Sequence, residues 1–223
     1  MRVSVVIAAF NAAHTLPETL ASVHAQTRAA DEINVVDDGS TDDTGAVART
    51  DYRVRTITLP RGGPAAAQNT GVAAATGDAV AFLDADDLWT PRKLALQTAA
   101  LQAGPALDAV FGHVAAFVCP SLRPEQGARY ALPPPAPGWL GGAMLLRRSV
   151  FERVGPFDPR LRIGHFIDWM HRARLAGFNA AMLDDVVLRR RLHPGSLSHR
   201  SAARDGGLVR MAREAIARQR AGS

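Results

Sequence analysis

Two rhythms of apolar and polar positions alternate through the first hundred residues. Short continuous apolar runs of strand length give way to segments whose apolar residues recur every three or four positions. Val3-Ser4-Val5-Val6-Ile7-Ala8-Ala9 is β-branched and almost wholly apolar, the pattern of a parallel strand buried on both faces. Phe10-Asn11 turns the chain. Thr15-x-x-Glu18, with Pro17, has the form of a capping box opening a helix whose Leu16, Leu20 and Val23 face the sheet. Glu32 to Val36 predicts a second strand, ended by Asp37-Asp38-Gly39-Ser40-Thr41-Asp42. There Gly39 permits a tight turn, and Ser40, Thr41 or Asp42 is placed to cap a helix running through Ala48. Val54 to Leu59 predicts a third strand, and Gly62-Gly63-Pro64 leads into an alanine-rich helix from Ala65 to Ala75, closed by Gly77. The run Ala79 to Leu83 predicts a fourth strand, and a helix follows from Pro91 to about Ala103.

Strict alternation of strand and helix predicts an α/β fold, a mostly parallel sheet with helices on both faces. Ligands of such sheets bind beyond the carboxyl ends of the strands. Asn11, Asp38 and Asp84 all fall just past strand ends, so distant segments bring polar groups to one rim, as a nucleotide site requires. The second half is less regular. Ala109 to Phe117 predicts a strand, and Pro120 to Gly138, with Pro133-Pro134-Pro135 and Pro137, a stiff loop. Gly141 to Leu146 predicts a strand, Ser149 to Val154 a short helix, and Gly155-Pro156-Phe157-Asp158-Pro159 a turn. A helix is expected around Asp168 to Ala176, and two short edge strands at Ala180 to Leu183 and Val186 to Leu192. The expected organisation is one domain: a nucleotide-binding half over 1–104, an acceptor-side half over 105–200, and a basic C-terminal helix over 201–223.

Composition narrows the chemistry. With 223 residues, 47% of them hydrophobic, the chain can bury a core without disulfides. The one cysteine, Cys119, forms no internal bridge, which fits a reducing cytoplasm. No apolar run reaches membrane-spanning length, and the apolar segment ended by Asn11 is too short for a secretion signal. The net charge of +5 favours anionic partners. Aromatics make up 6% and are not interleaved with basic residues, so nucleic acid is not the expected one.

The sharpest chemical signal is Phe82-Leu83-Asp84-Ala85-Asp86-Asp87-Leu88-Trp89, three carboxylates in four residues at a strand end. Hard oxygen ligands this close repel one another unless a cation lies among them, which points to Mg²⁺ or Mn²⁺ holding a phosphate-bearing substrate. The same residues also read as an acidic strand-to-helix turn, with Asp87 or Thr90 capping the helix near Pro91.

Ser4-Val5-Val6-Ile7-Ala8-Ala9-Phe10-Asn11, Val36-Asp37-Asp38-Gly39-Ser40-Thr41-Asp42, Asn69-Thr70-Gly71, Gly77-Asp78 and Leu83-Asp84-Ala85-Asp86-Asp87 together resemble the family 2 glycosyltransferases. Gly155-Pro156-Phe157-Asp158 and Asp168-Trp169 continue the pattern more loosely. The resemblance implies a GT-A fold and transfer, with inversion, of a sugar from a nucleotide diphosphate, a UDP-sugar first among the donors, to an acceptor hydroxyl. It implies that Phe10 packs near the base, that Asp38 bonds it, and that Ala8, Asn11, Asn69 and Ala85 line the nucleotide-sugar site. It places Asp84 at the ribose, Asp86 on Mn²⁺ or Mg²⁺, and Asp168 as general base. His193, after Arg189-Arg190-Arg191, corresponds to a late histidine that serves some relatives as a further metal ligand. Read from the residues alone, His193 is equally a loop residue, the arginines a solvated edge strand, and Asp168 a helix cap.

The chain departs from the pattern in three places. Ile167 stands where relatives carry Glu before the base, with His165 two residues earlier. Gln68-Asn69 replaces an Arg-Asn pair, so a phosphate contact is lost or supplied by Arg61. The region after the base is short. Two rivals follow: a member that binds nucleotide-sugar or a partner without turnover, and a sugar nucleotidyltransferase, against which Ala8-Ala9-Phe10-Asn11 stands in place of a glycine-rich, arginine-bearing loop. The acceptor is open among saccharide, lipid-linked and peptide classes. The basic helix expected from Ala203 to Arg220 packs on its own domain; peripheral contact with an anionic membrane and a homodimer are the other uses it leaves open.

Overall fold

The computed structural model describes residues 1–130 and 132–194. Gly195, Ser196 and the basic helix expected from Ala203 to Arg220 lie outside them. The first half runs β1 (Val3–Ala9), α1 (Leu16–His24), β2 (Glu32–Asp37), α2 (Thr44–Arg49), β3 (Val54–Thr58), α3 (Pro64–Ala74), β4 (Ala79–Asp84), β5 (Leu88–Trp89) and α4 (Lys93–Ala103). The second runs β6 (Ala109–Val118), α5 (Pro124–Gly127), β7 (Ala136–Pro137), a 3₁₀ turn at Gly141–Ala143, β8 (Leu145–Arg147), α6 (Arg148–Val154), α7 (His165–Leu175) and β9 (Ala180–Leu192).

All nine strands described join one sheet in the order β3-β2-β1-β4-β8-β6-β9-β5, with β7 paired to β6. β3, β2, β1 and β4 are parallel; β8 runs antiparallel to both β4 and β6, and β5 antiparallel to β9. The central strands are apolar at almost every position because both faces are covered. Val3, Val5 and Ile7 of β1 pack with Leu16, Leu20, Ala48, Leu94 and Leu101, so α1, α2 and α4 lie on one face. Val6, Val80, Phe82 and Phe111 pack with Ala65, Val72, Phe151, Phe157 and Trp169, which sets α3, α6 and α7 on the other.

The expected loop over 120–138 holds α5 and β7, α7 begins at His165 ahead of Asp168, and in four further places a tertiary partner overturns a local expectation. The Thr15–Glu18 capping box does not form: Thr15 makes no side-chain cap. Its Oγ1 donates to Ala85 O at 2.8 Å, and Glu18 accepts from Arg191 Nη2 at 2.6 Å. α4 starts at Lys93 rather than Pro91, and neither Asp87 nor Thr90 caps it. Thr90 Oγ1 donates to Val186 O at 2.7 Å, and Asp87 Oδ1 accepts the Arg191 N–H at 2.8 Å. Gly141–Ala143 is a 3₁₀ turn instead of strand, since side chains take its carbonyls: Trp89 Nε1 donates to Gly142 O and Gln97 Nε2 to Ala143 O. The two short edge strands are one strand, β9, inside the sheet between β6 and β5; irregular register against β6 near His113 absorbs its exposed Asp184-Asp185.

A buried lysine ties the halves together. Lys93 is fully buried, lies over the Trp89 ring and donates to Gln97 Oε1 and to Met144 O. Burial without a carboxylate partner lowers its pKa to about 7.

Candidate functional site

The register brings the strand ends together. Ala8 is paired with Val36 on one side and Asp84 on the other, and paired residues of neighbouring strands share a face. Asp38 follows Val36 by two residues and Asp84 follows Phe82 by two, so both belong to the face carrying α3, α6 and α7.

At the end of β4 the chain turns sharply, the Asp87 N–H donating to Asp84 O at 3.1 Å. The turn gathers Asp84, Asp86 and Asp87 so that one carboxylate oxygen from each lies within 4.8 Å of the others. Helix α1 clamps this turn with one polar stripe: Thr15, Thr19, Ser22 and Gln26 recur at helical spacing. Thr19 Oγ1 donates to the carbonyls of Ala85 and Asp87, both at 3.0 Å. Trp89 N–H donates to Ser22 Oγ, and Gln26 Nε2 to Thr90 O.

Electrostatics at the turn are unfavourable as it stands. Asp84 keeps surface in contact with solvent, yet the protein packed around it strips away enough hydration to raise its pKa to about 6, with the Asp86 charge adding to the rise. Asp87 is buried, and desolvation followed by the charges of Asp84 and Asp86 pushes it well above the usual carboxylate range. The Arg190 charge acts the other way on both. His193 approaches from beyond β9, its Nε2 donating to Asp86 Oδ2 at 2.9 Å; that hydrogen bond holds its pKa above the ordinary histidine value. Three crowded carboxylates and an imidazole fit a divalent ion of the Mn²⁺ or Mg²⁺ type, whose charge would offset their mutual repulsion.

Along the rim, Asp38 is buried and held by the loop before α3. Gly62 N–H donates to Oδ1 at 2.7 Å, Gly63 N–H to both oxygens, and Arg61 Nη1 to Oδ2. Phe10 is 39% exposed and carries the Arg61 guanidinium on its ring. Asn11 adopts a left-handed backbone (φ 48°), which asparagine tolerates, and its Oδ1 accepts the Thr41 N–H at 2.8 Å. Ala85 is buried under the acidic turn.

Asn69, expected at the nucleotide-sugar, and its neighbour Gln68, where a phosphate contact was expected to be lost, both bond within the fold. Asn69 commits both amide atoms to the backbone of Phe157, at 2.8 and 2.9 Å, and so fixes the 155–157 turn against α3. Gln68 Oε1 lies 3.0 Å from His165 Nε2, so His165 meets Gln68. Asp168 lies in the first turn of α7, one-third exposed, its Oδ2 accepting from Arg172 Nε at 3.0 Å. Arg172 also donates to the carbonyls of Val154 and Pro156, which anchors the pair to the same turn. Ile167, beside it, is 47% exposed. The structure thus unites Asp84, Asp86, Asp87 and His193, and sets Ala8, Phe10, Asn11 and Asp38 along the adjoining rim. Sequence reasoning left the α1 polar stripe unread, although its four-three-four spacing was visible.

A family model described as Glycosyl transferase family 2 matches residues 4–155. The chain belongs to that family, and its fold is GT-A. An uncharacterised glycosyltransferase, alr2836, of Nostoc sp. is 34% identical over 182 residues, 71% of this chain and 55% of that protein. The Escherichia coli protein WfgD, a UDP-Glc:alpha-D-GlcNAc-diphosphoundecaprenol beta-1,3-glucosyltransferase, is 39% identical over 98 residues, 43% of this chain and 39% of its own. The mannosyltransferase PcManGT of Pyrobaculum calidifontis, solved with GDP-Man and Mn²⁺, superposes with a TM-score of 0.72 at 25% identity, covering 96% of this chain and 64% of that one. The chain therefore spans between about two-fifths and two-thirds of the length of these relatives. Among the described residues no helix is long and apolar enough to cross a membrane.

Proposed function

We propose that the protein transfers a sugar from a nucleotide diphosphate to an acceptor hydroxyl, with inversion at the anomeric carbon. The observation that carries this reading is the joining of Asp84, Asp86, Asp87 and His193 at the strand-end rim that also holds Asp38 and Phe10. Phe10 offers a flat apolar surface to the base, Asp38 an acceptor to its N–H groups, and Asp84 a carboxylate to the ribose; Ala8, Asn11 and Ala85 line the rim between them. Asp86 and His193 would hold the Mn²⁺ or Mg²⁺. The chemistry such an ion supplies when bound is neutralisation of charge on the departing diphosphate. A hydroxyl is barely nucleophilic at neutral pH, so a carboxylate must take its proton during attack, and Asp168 is assigned that role. Attack opposite the leaving group inverts the configuration without a covalent intermediate. A UDP-sugar is the favoured donor, as for the WfgD relative; the GDP-Man bound to PcManGT makes a GDP-sugar the alternative. We place the enzyme in the cytoplasm, where a reduced Cys119 belongs.

Exposed Ile167, in the place where family relatives carry Glu, favours one second reading: donor binding without turnover. Release of nucleoside diphosphate from UDP-, GDP- and dTDP-sugars with Mn²⁺, measured with and without a panel of saccharide and lipid-linked acceptors, separates the two. Acceptor-dependent release supports transfer. Donor binding with neither transfer nor hydrolysis supports the second reading, and no binding of any donor sinks both.

A further inference from the structure

Arg61 stands where the nucleotide reading needs a base. Its guanidinium carbon is 3.3 Å from the centre of the Phe10 ring, a stacking distance for two planar groups. From the same position Nη1 donates to Asp38 Oδ2. The remainder of the Asp38 carboxylate is committed to backbone: Oδ1 accepts from Gly62 and Gly63, and Oδ2 also from Gly63 at 2.9 Å. Those donors lock its orientation, so the edge facing Arg61 is the one left for an incoming ligand. A planar group lying on Phe10 with an N–H aimed at Asp38 has the shape and polarity of a nucleobase with a ring N–H.

We propose that Arg61 is an internal stand-in for the nucleobase, filling the Phe10–Asp38 site in the free protein and leaving as a nucleotide enters. The inference rests on the nucleotide-sugar reading above. Only the side chain can make this move. A Cβ on Gly39 (φ 69°) would come within 2.8 Å of Arg61 N, so the two backbones are in close contact, and the N–H groups of Gly62 and Gly63 are tied to Asp38. The Arg61 side chain is 40% exposed, with solvent into which to rotate. Because the site is open only in the fraction of molecules whose Arg61 has left, the apparent affinity for nucleotide is lowered by that fraction. The lowering is the same for every base, since it reflects the free protein alone.

Calorimetric titration of UDP and GDP with Mn²⁺ into wild-type, Arg61→Met and Arg61→Lys protein tests this, with thermal melts confirming that each is folded. Met has no donor for Asp38; Lys keeps the charge without the plane. The Met variant should bind both nucleotides roughly 3- to 30-fold more tightly, by one common factor, and the Lys variant should fall between it and wild type. Should Met disrupt the fold, the Lys variant carries the test. Unchanged or weaker binding in the variants, with wild-type binding intact, overturns the stand-in alone. A gain for one base and a loss for the other also overturns it, since that marks a direct base contact. Failure of all three proteins to bind any nucleotide overturns the stand-in together with the nucleotide reading.

Discussion

The two halves of the sheet are held by different chemistry. In residues 1–104 the strands β1 to β4 are parallel, and the turn after β4 is pinned by hydroxyl and amide groups spaced along α1 and its two ends. In residues 105–194 strand directions are mixed, and α7 is seated by an aromatic cluster in which Phe157 meets Phe82, Phe151, Phe166 and Trp169. Hydrogen bonds fix individual atoms, which a carboxylate cluster needs. Aromatic packing fixes a whole helix while leaving outward residues such as Ile167 in solvent. The first half accordingly presents a rim set by backbone register, and in the second packing holds the helix that carries Asp168.

The comparison is sharpest at Asp168. If α7 serves only to bring that carboxylate to the reaction, Asp168→Asn should lower the transfer rate by about 10²–10⁴-fold while donor affinity in the presence of Mn²⁺ stays unchanged. Steady-state rates alongside donor titrations check it; wild-type turnover in the variant would move the base elsewhere.

Next in size is the packing that seats α7. Phe157 is almost fully buried, and Phe157→Ala should cost about 3–5 kcal/mol in urea unfolding. Transfer should also fall in the protein that remains folded, with nucleotide binding little altered. A cost under about 1 kcal/mol would show that the cluster fills space without holding the helix.

The smallest effect tests the join between the halves. Lys93 has a folded pKa of about 7 against 10.5 for the free side chain, so between those values the unfolded chain binds more protons than the native one. Stability should therefore rise with pH above 7, by up to about 1.4 kcal/mol per unit, and be insensitive to this group below it. Lys93→Met should remove that slope. Equal slopes in denaturant titrations of the two proteins at pH 7 and 9 would show that Lys93 stays charged in the fold.

Much of the first half was legible because each signal there is local. An apolar run closed by an aspartate states both the strand and where it ends, as at Asp37 and Asp84. Capping was misread for the opposite reason: Thr15 and Glu18 have the spacing of a box, but Ala85 O and Arg191 offer partners that local sequence does not show. The same holds for Gly141–Ala143, whose carbonyls are claimed by Trp89 and Gln97, and for Asp184-Asp185, which resembles a turn until the irregular pairing with β6 is seen. His193 reached the metal expectation only through a family resemblance; its approach to Asp86 across 107 residues depends on β9 lying inside the sheet. Asn69 shows the converse, a motif residue whose hydrogen bonds serve the fold.

The most direct measurement is calorimetric binding of UDP and GDP, with and without Mn²⁺, to wild-type and Asp86→Ala protein. Wild type should bind one of them markedly more tightly with the ion present, and the variant should show the weaker, ion-independent affinity under both conditions. An undiminished Mn²⁺-dependent gain in Asp86→Ala would mean that the acidic turn after β4 is not where a divalent ion and a nucleotide diphosphate meet.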